Sequence, residues 1–582
     1  MSKSPRLLLS LAAVAVAFAA ADTYVVVLAL PDMMTSVGLS IDELQRAAPI
    51  VSGFLLGYVA MLPLIGRLAD LRGRLPVLVV SLLVFGFGSL VTAAAYDLPS
   101  LVVGRFLQGV GGGGLVPVTL ALVADIYPAE RRGVPLGVVG AVQELGSVLG
   151  PLYGAAVLVV GDWRDIFWIN LAVGLVLAAG VAALGRQGSS RGPRRLDVVG
   201  LSLLGLWLVS LLLVMRQPDA VVTSVDWGGP FVPFGTATSP WLSPVGLVTV
   251  GLGLALTLWL VLGRRPFFDA RDWWGTVRQA DLRGALLLSV ALGGVIVAFA
   301  TADPQVQVFS PVGPWALGAA AVAGLLFVLH QRRATNPLVP RGSFAQRPAW
   351  GSLAVSFFVG AALIAALVDI PVFARISIYG DSQIKAALVL VELLVALPVG
   401  ALVGGFLTRV ADSGLIAGAG MACAAAGFWA MSGWDADQLH HHLSSSAVLA
   451  LTGFGFGLAL APVNAALLAS TRPAVHGVTS ALLVVSRMVG MLVGISALTT
   501  IGLRRYYTVS ADFPSPGEVC GGGRTRCDAY SDLLQHAGVA QLHSIFAGAA
   551  LCALVAGLLA VVLFRGAATR ATPAVALLTA GG

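Results

Sequence analysis

Charge is what this chain has least of. Asp, Glu, Lys and Arg make up 11% of its 582 residues, under half of what a soluble domain carries. So few charges cannot cover a water-exposed surface of this size. Cysteine is also scarce, with four residues, and no Cys/His spacing matches a zinc site. No phosphate-binding GxxxxGK and no nucleophile elbow occur, which argues against an ATP-driven pump or a hydrolase. No enzyme, metal or cofactor is expected. What the chain does have is apolar: 58% hydrophobic residues and 70 glycines, with mean hydropathy +0.91. That composition belongs to an all-α polytopic membrane protein.

Apolar runs divide the chain into about 16 spans. Six come first: 7–30, 47–66, 76–96, 100–124, 134–159 and 166–184. Four follow at 198–215, 244–263, 284–301 and 313–331, and six close the chain at 350–373, 385–408, 414–431, 446–470, 477–503 and 541–565. The first run continues past Asp22 to Leu30 and reads as a span rather than a cleaved leader. The predicted divisions are 1–185, a six-helix bundle; 186–348, a linker with four spans; and 349–582, a second six-helix bundle with a long loop at 504–540.

The net charge of +7 does not point to nucleic acid, because the arginines sit in short loops. Arg67, Arg72, Arg74, Arg131, Arg132, Arg264, Arg265, Arg332 and Arg333 fall on one side of the predicted topology. The positive-inside rule makes that side, and both termini, cytoplasmic.

The linker reads as a duplicated hairpin. Asp197 and Gly200 open one copy, Asp281 and Gly284 the other, and Ser-Pro-Val-Gly opens each return helix at 243 and 310. The intervening stretch VDWGGPFVPFG reads as a small hairpin or as disordered. In the last loop, helical sequence runs past the membrane on both sides, to Val509 and from Asp528. Cys520 and Cys527 flank GGGRTR between them, and a disulfide there fits an extracytoplasmic loop.

Charges inside spans are costly and mark sites by default. Glu144 stands mid-span in 134–159, opposite a stripe of Gly146, Gly150 and Gly154 that suits close helix packing. A second copy lies 344 residues on, from Gly146 to Gly490 and Gly150 to Gly494, and aligns Arg487 with Gln143. One related helix thus carries an acid and the other a base, as in two-half transporters. Asp22 reads as a proton carrier or a partner of Arg487. Asp369, roughly equivalent to Asp22, reads as solvated near the outer boundary. Glu392 reads as a second protonation site or half of a structural pair. Arg105 would hold carbonyls or an acid within the first bundle. Two other patterns carry nothing: the glycine run 109–114 lies within a span with no preceding strand, and His440–His442 lacks further ligands.

Three motifs then occur in order. Gly66-Arg67-Leu68-Ala69-Asp70-Leu71-Arg72-Gly73-Arg74 joins the second and third spans, Arg105-Phe106-Leu107-Gln108-Gly109 lies in the fourth, and Gly146 to Gly154, with Pro151, in the fifth. Together they resemble the inner-loop, buried-arginine and antiporter motifs of the major facilitator superfamily. Residues 22–27, 143–154, 162–170 and 486–491 are similar to its drug:proton antiporter branch, in particular to the mycobacterial lipid exporters. The resemblance implies alternating access, with Asp70, Arg72 and Arg74 gating the inner face and Gly66 and Gly73 shaping that turn. It also implies outward extensions of the last two helices and a periplasmic lipid-carrying lipoprotein as partner. Two departures stand: those relatives have two linker helices, and Glu392 has no counterpart in them.

The reading is therefore a proton-coupled secondary exporter of triacylglyceride-like lipids toward the periplasm. The alternatives are a multidrug:proton antiporter for amphiphilic cations, and a membrane scaffold or scramblase that docks through the outer loop.

Overall fold

The computed structural model describes residues 3–39, 44–186, 197–224, 226–227, 239–264, 266–300, 312–379, 383–520, 527–567 and 569. Among them the chain is helical, with no strand. The first bundle holds α1 (Lys3–Ser36), α2 (Leu44–Arg72), α3 (Arg74–Ala93), α4 (Leu98–Ile126), α5 (Gly133–Val160) and α6 (Trp163–Arg186). The linker holds α7 (Val198–Arg216), the short α8 (Asp219–Val222), α9 (Pro244–Leu262), α10 (Ala270–Gln279), α11 (Leu282–Ala300) and α12 (Gly313–Arg333). The rest comprises α13 (Arg347–Ser377), α14 (Gln383–Leu407), α15 (Ser413–Met431), α16 (His442–Ala469), α17 (His476–Ser510), the short α18 (Pro516–Cys520) and α19 (Asp528–Leu563).

Fifteen of these helices are long and apolar enough to cross a bilayer, and α5 joins them as a span bent by 41° between Ser147 and Leu152. Pro151 stands in the bend and cannot donate the amide hydrogen bond expected there. The sixteen expected spans thus all fall on helices. Most of the VDWGGPFVPFG stretch and the 310–311 pair lie outside the described residues.

Each half is built on an apolar core, and that of the first also takes in Ala461, Ala465, Leu468, Val484 and Val485 of the second. Leu62, Leu82, Val123 and Val181 belong to one, and Phe373, Leu397, Phe428, Phe456 and Phe546 to the other. Glycines set the close approaches, and the two halves repeat them. A Cβ on Gly146 or Gly150 would land on the carbonyl of Ala17 or Ala21, and one on Gly490 or Gly494 on the backbone of Phe357 or Ala361. Likewise Gly109 and Gly113 lie on Phe54 and Tyr58, and Gly453 and Gly457 on Leu393 and Leu397. The repeat seen in the sequence is thus a repeat in packing. It also corrects one expectation. Since Ala21 corresponds to Ala361, the counterpart of Asp22 is Ala362, and Asp369 lies two helical turns further along, about 10 Å.

The two linker hairpins pack in different places. The first leans on α3: Trp207 stacks on Phe87 at 5.6 Å, and Trp241 Nε1 donates to the Tyr96 hydroxyl at 2.9 Å. The second lies along α2, where Ser289 Oγ donates to the Ala60 carbonyl at 2.7 Å, and α11 also touches α17 of the other half. Both hairpins close on the same cradle. Asp197 accepts from the amides of Gly200 (2.9 Å) and Phe267 (2.8 Å) and from Trp259 Nε1 (3.1 Å). Asp281 accepts from the amides of Gly284 (3.0 Å) and Leu338 (3.0 Å), with His330 Nε2 at 2.7 Å. Trp259 and Phe267 are spaced as His330 and Leu338 are.

The last two spans overrun the bilayer. With 35 and 36 residues, α17 and α19 are each about 50 Å long, against a hydrocarbon core of about 30 Å. Beyond it Gln535 Nε2 donates to the Ile376 carbonyl at 2.8 Å, and Cys520 is bonded to Cys527 just ahead of α19.

Candidate functional site

The halves meet around a cavity lined by α4, α5, α13, α16 and α17. Its walls are mostly apolar. The polar exceptions are Gln143 and Glu144 on α5, Ser356 on α13, Asn464 on α16 and Arg487 on α17. Glu144 is 8% exposed. Glu144 and Arg487 make no direct ion pair, but they line one space and their charges attract across it. The cavity volume is about 30 Å³, enough for roughly two waters and far less than a three-chained lipid needs. Protonating Glu144 would cancel that attraction without moving any other charge.

Asp22 sits elsewhere. Its carboxylate is fully buried in the first bundle, where Oδ2 accepts from Arg105 at 2.8 Å and Oδ1 from Gln108 Nε2 at 3.0 Å and from Asn170. Gln108 also donates to Ser89 Oγ at 2.9 Å, and the guanidinium of Arg105 lies over the Phe54 ring at 4.4 Å. One carboxylate thus joins α1, α4 and α6. The expected partnership of Asp22 with Arg487 is corrected: Arg105, one helix away in the same bundle, takes that place. With both oxygens engaged, Asp22 is built as a structural ion pair, and Arg105 is the residue that holds it.

One end of the molecule carries the α2–α3, α4–α5 and α16–α17 connections, and here the halves close on each other along two seams. In the first, a Cβ on Gly66 would meet the Gly477 carbonyl, and one on Gly477 the Gly66 carbonyl. In the second, Gly133 and Gly405 stand in the same reciprocal relation. Asp70 seals the first seam. It accepts from the amides of Gly477 (2.8 Å) and Val478 (2.9 Å), so it caps the first turn of α17. Gly73, at φ +96°, turns the chain away and leaves Asp70 facing the other half. Arg74 pairs with Asp70 (3.1 Å) and Asp125 (3.2 Å) and donates to the Pro473 carbonyl at 3.0 Å. Arg72 does not cross the seam. It pairs with Asp272 of α10 and lies over Trp273 at 5.2 Å.

In the second seam Arg132 donates to the carbonyls of Tyr127 (2.9 Å) and Ala124 (2.8 Å). Burial pulls its pKa below the usual arginine range while Asp125 and Glu130 pull it back up.

Asp369, expected to be solvated, is 9% exposed and finds no polar partner among the described residues. Its neighbours Ile370 and Phe373 belong to the second core, which carries the acid inward with them. Glu392 is exposed on α14, has no ion-pair partner among the described residues and does not line the cavity. The structural-pair alternative for it is therefore corrected. Gly146, Gly150 and Gly154 press on α1 and leave Glu144 free to face the cavity. Sequence reasoning gave no role to Asn170, Ser89, Ser356 or Asn464. Each is a polar residue within an apolar span, and that was the signal available.

The Major Facilitator Superfamily profile matches residues 12–332. The chain is 34% identical to the triacylglyceride transporter of Mycolicibacterium hassiacum over 88% of its own length and 83% of that protein's. It is 35% identical to the triacylglyceride transporter of Mycobacteroides abscessus (86% and 84%) and 34% identical to that of Mycobacterium tuberculosis (88% and 85%). Among solved structures, the human organic anion transporter MFSD10 aligns with TM-score 0.56 at 13% identity, covering 96% of this chain and 99% of that one. The proton:xylose symporter XylE aligns with TM-score 0.52 at 13% identity, covering 95% of each. At that identity they share the fold alone. These relationships indicate a membrane transporter rather than an enzyme, and the chain belongs to the major facilitator superfamily.

Proposed function

We propose that this transporter exports triacylglyceride-like lipids from the inner membrane toward the periplasm, driven by protons through alternating access. The observation that carries the reading is Glu144 and Arg487 lining one mostly apolar cavity between the halves. An apolar wall suits a neutral lipid, which offers Arg487 no carboxylate. The acid–base pair then remains for coupling. Protonation of Glu144 weakens the attraction between the halves and biases the switch; a few kcal/mol is enough to move such an equilibrium substantially. Asp70 and Arg74 hold the basic end shut, and that end is cytoplasmic by the positive-inside rule. On this reading the extensions of α17 and α19 lead lipid outward to a periplasmic lipid-carrying lipoprotein. The names of the mycobacterial relatives support the substrate class.

The multidrug:proton alternative would have a cationic drug meet Glu144. Arg487 in the same cavity opposes that. The test is triacylglyceride retained in cells lacking this protein, rescued by wild type or by Glu144→Gln, with ethidium efflux measured in the same strains. Lipid clearance by wild type and not by Glu144→Gln is expected. Restoration of ethidium efflux alone would make the protein a drug antiporter.

A further inference from the structure

The transport reading makes no use of α10, the ten-residue helix between the two linker hairpins. It is short, amphipathic and held at the basic end, between the ends of α9 at Leu262 and α11 at Leu282. One face is anchored. Trp273 lies under Arg72 and stacks on Phe268 at 5.6 Å, Asp272 pairs with Arg72, and Thr276 and Ala280 are buried. The opposite stripe is exposed and of one character. Arg271, Trp274 and Arg278 recur at helical spacing, Trp274 is 50% exposed, and the Arg278 guanidinium lies over its ring at 5.3 Å. Arg264, Arg283 and the 39%-exposed Phe267 flank the stripe. Of the three acids between Arg264 and Arg283, Asp272 is taken by Arg72, Asp269 accepts from the helix's own amide of Asp272 at 3.1 Å, and Asp281 is buried in its own cradle.

We propose that the Arg271–Trp274–Arg278 face of α10 is a binding surface for the acidic headgroups of membrane phospholipids. Three features commit it to that occupant. The helix is bracketed by two spans ending at the same face, so it lies at headgroup level. Tryptophan and arginine side by side are the residue types that settle there. The surplus of positive charge matches phosphate, and the inward anchoring fixes which face is offered. The inference does not depend on what the protein transports.

The test uses the full-length protein in detergent with defined mixtures of phosphatidylglycerol and phosphatidylcholine, with retained lipids counted by native mass spectrometry. Wild type should retain phosphatidylglycerol over phosphatidylcholine. Each surface arginine contributes about fivefold, so R271Q/R278Q should lose roughly 25-fold of that preference, while W274A should weaken retention of both lipids. Glycerol phosphate in solution should not displace the lipid. If R271Q/R278Q keeps the wild-type preference, if wild type has none, or if glycerol phosphate displaces the lipid, the proposal is overturned. Should R271Q/R278Q melt at lower temperature than wild type, R271K/R278K decides: restored preference supports the proposal and its loss refutes it.

Discussion

Two buried acids in neighbouring helices have opposite chemical situations, and the difference decides what each substitution does. Asp22 has three donors on its two oxygens and Arg105 as counter-ion. Asp22→Asn leaves that guanidinium buried without its charge partner, which costs about 3–5 kcal/mol. The expected outcome is a clear drop in melting temperature, and replacing Asp22 and Arg105 together by apolar residues should recover part of it. Glu144 has only the Gln143 amide, at 3.5 Å, and no ion pair, so Glu144→Gln should melt near wild type while losing proton dependence. Equal melting of the two variants would contradict the assignment. The sequence showed both acids, since a carboxylate in an apolar run is conspicuous. It did not show the partner of Asp22, because whether that acid meets Arg105 or Arg487 depends on how far α1 and α4 are rotated about their axes. That rotation is set by packing across the bundle.

Elements are held by glycines and by a few capped ends. At the first seam Gly66 and Gly477 touch backbone to backbone, so Gly66→Ala must push α2 from α17. Overpacking of this kind costs about 1–3 kcal/mol, here charged to the closed form alone. Spin-label distances between α2 and α17 at the basic end should lengthen in Gly66→Ala, and unchanged distances would refute the seam. The linker cradle gives a pH dependence. Burial works to raise the Asp197 pKa, yet hydrogen bonds from Gly200, Trp259 and Phe267 outweigh it and hold the carboxylate below its usual range. A depressed folded pKa stabilises above the unfolded value, about 3.9, and that contribution fades as pH falls through the folded pKa. Asp197→Asn should therefore lower the melting temperature at neutral pH, with the gap narrowing in acid; a gap that widens would reverse the sign. The duplicated hairpin was legible from its Asp–Gly and Ser-Pro-Val-Gly repeats. The Trp259 and His330 donors were not, because their partners stand on the preceding helix across a loop of different length in each copy.

At the scale of the whole molecule, span number and repeat were readable because bilayer thickness sets span length and the fold repeats its glycine contacts. The function of the projecting helices was not readable, since length alone does not say what travels along them. If lipid leaves by that route, deleting residues 512–530 should impair triacylglyceride delivery to an acceptor and spare ethidium efflux. Equal loss of both would assign the extension to folding. The central claim is that Glu144 couples protons to lipid movement against Arg487. It is tested most directly in proteoliposomes, by transfer of a fluorescent triacylglycerol to an external acceptor under an imposed pH gradient. Wild type should transfer in a gradient-dependent way, and transfer by Glu144→Gln should no longer respond to the gradient. Gradient-driven transfer at the wild-type rate in Glu144→Gln would contradict it.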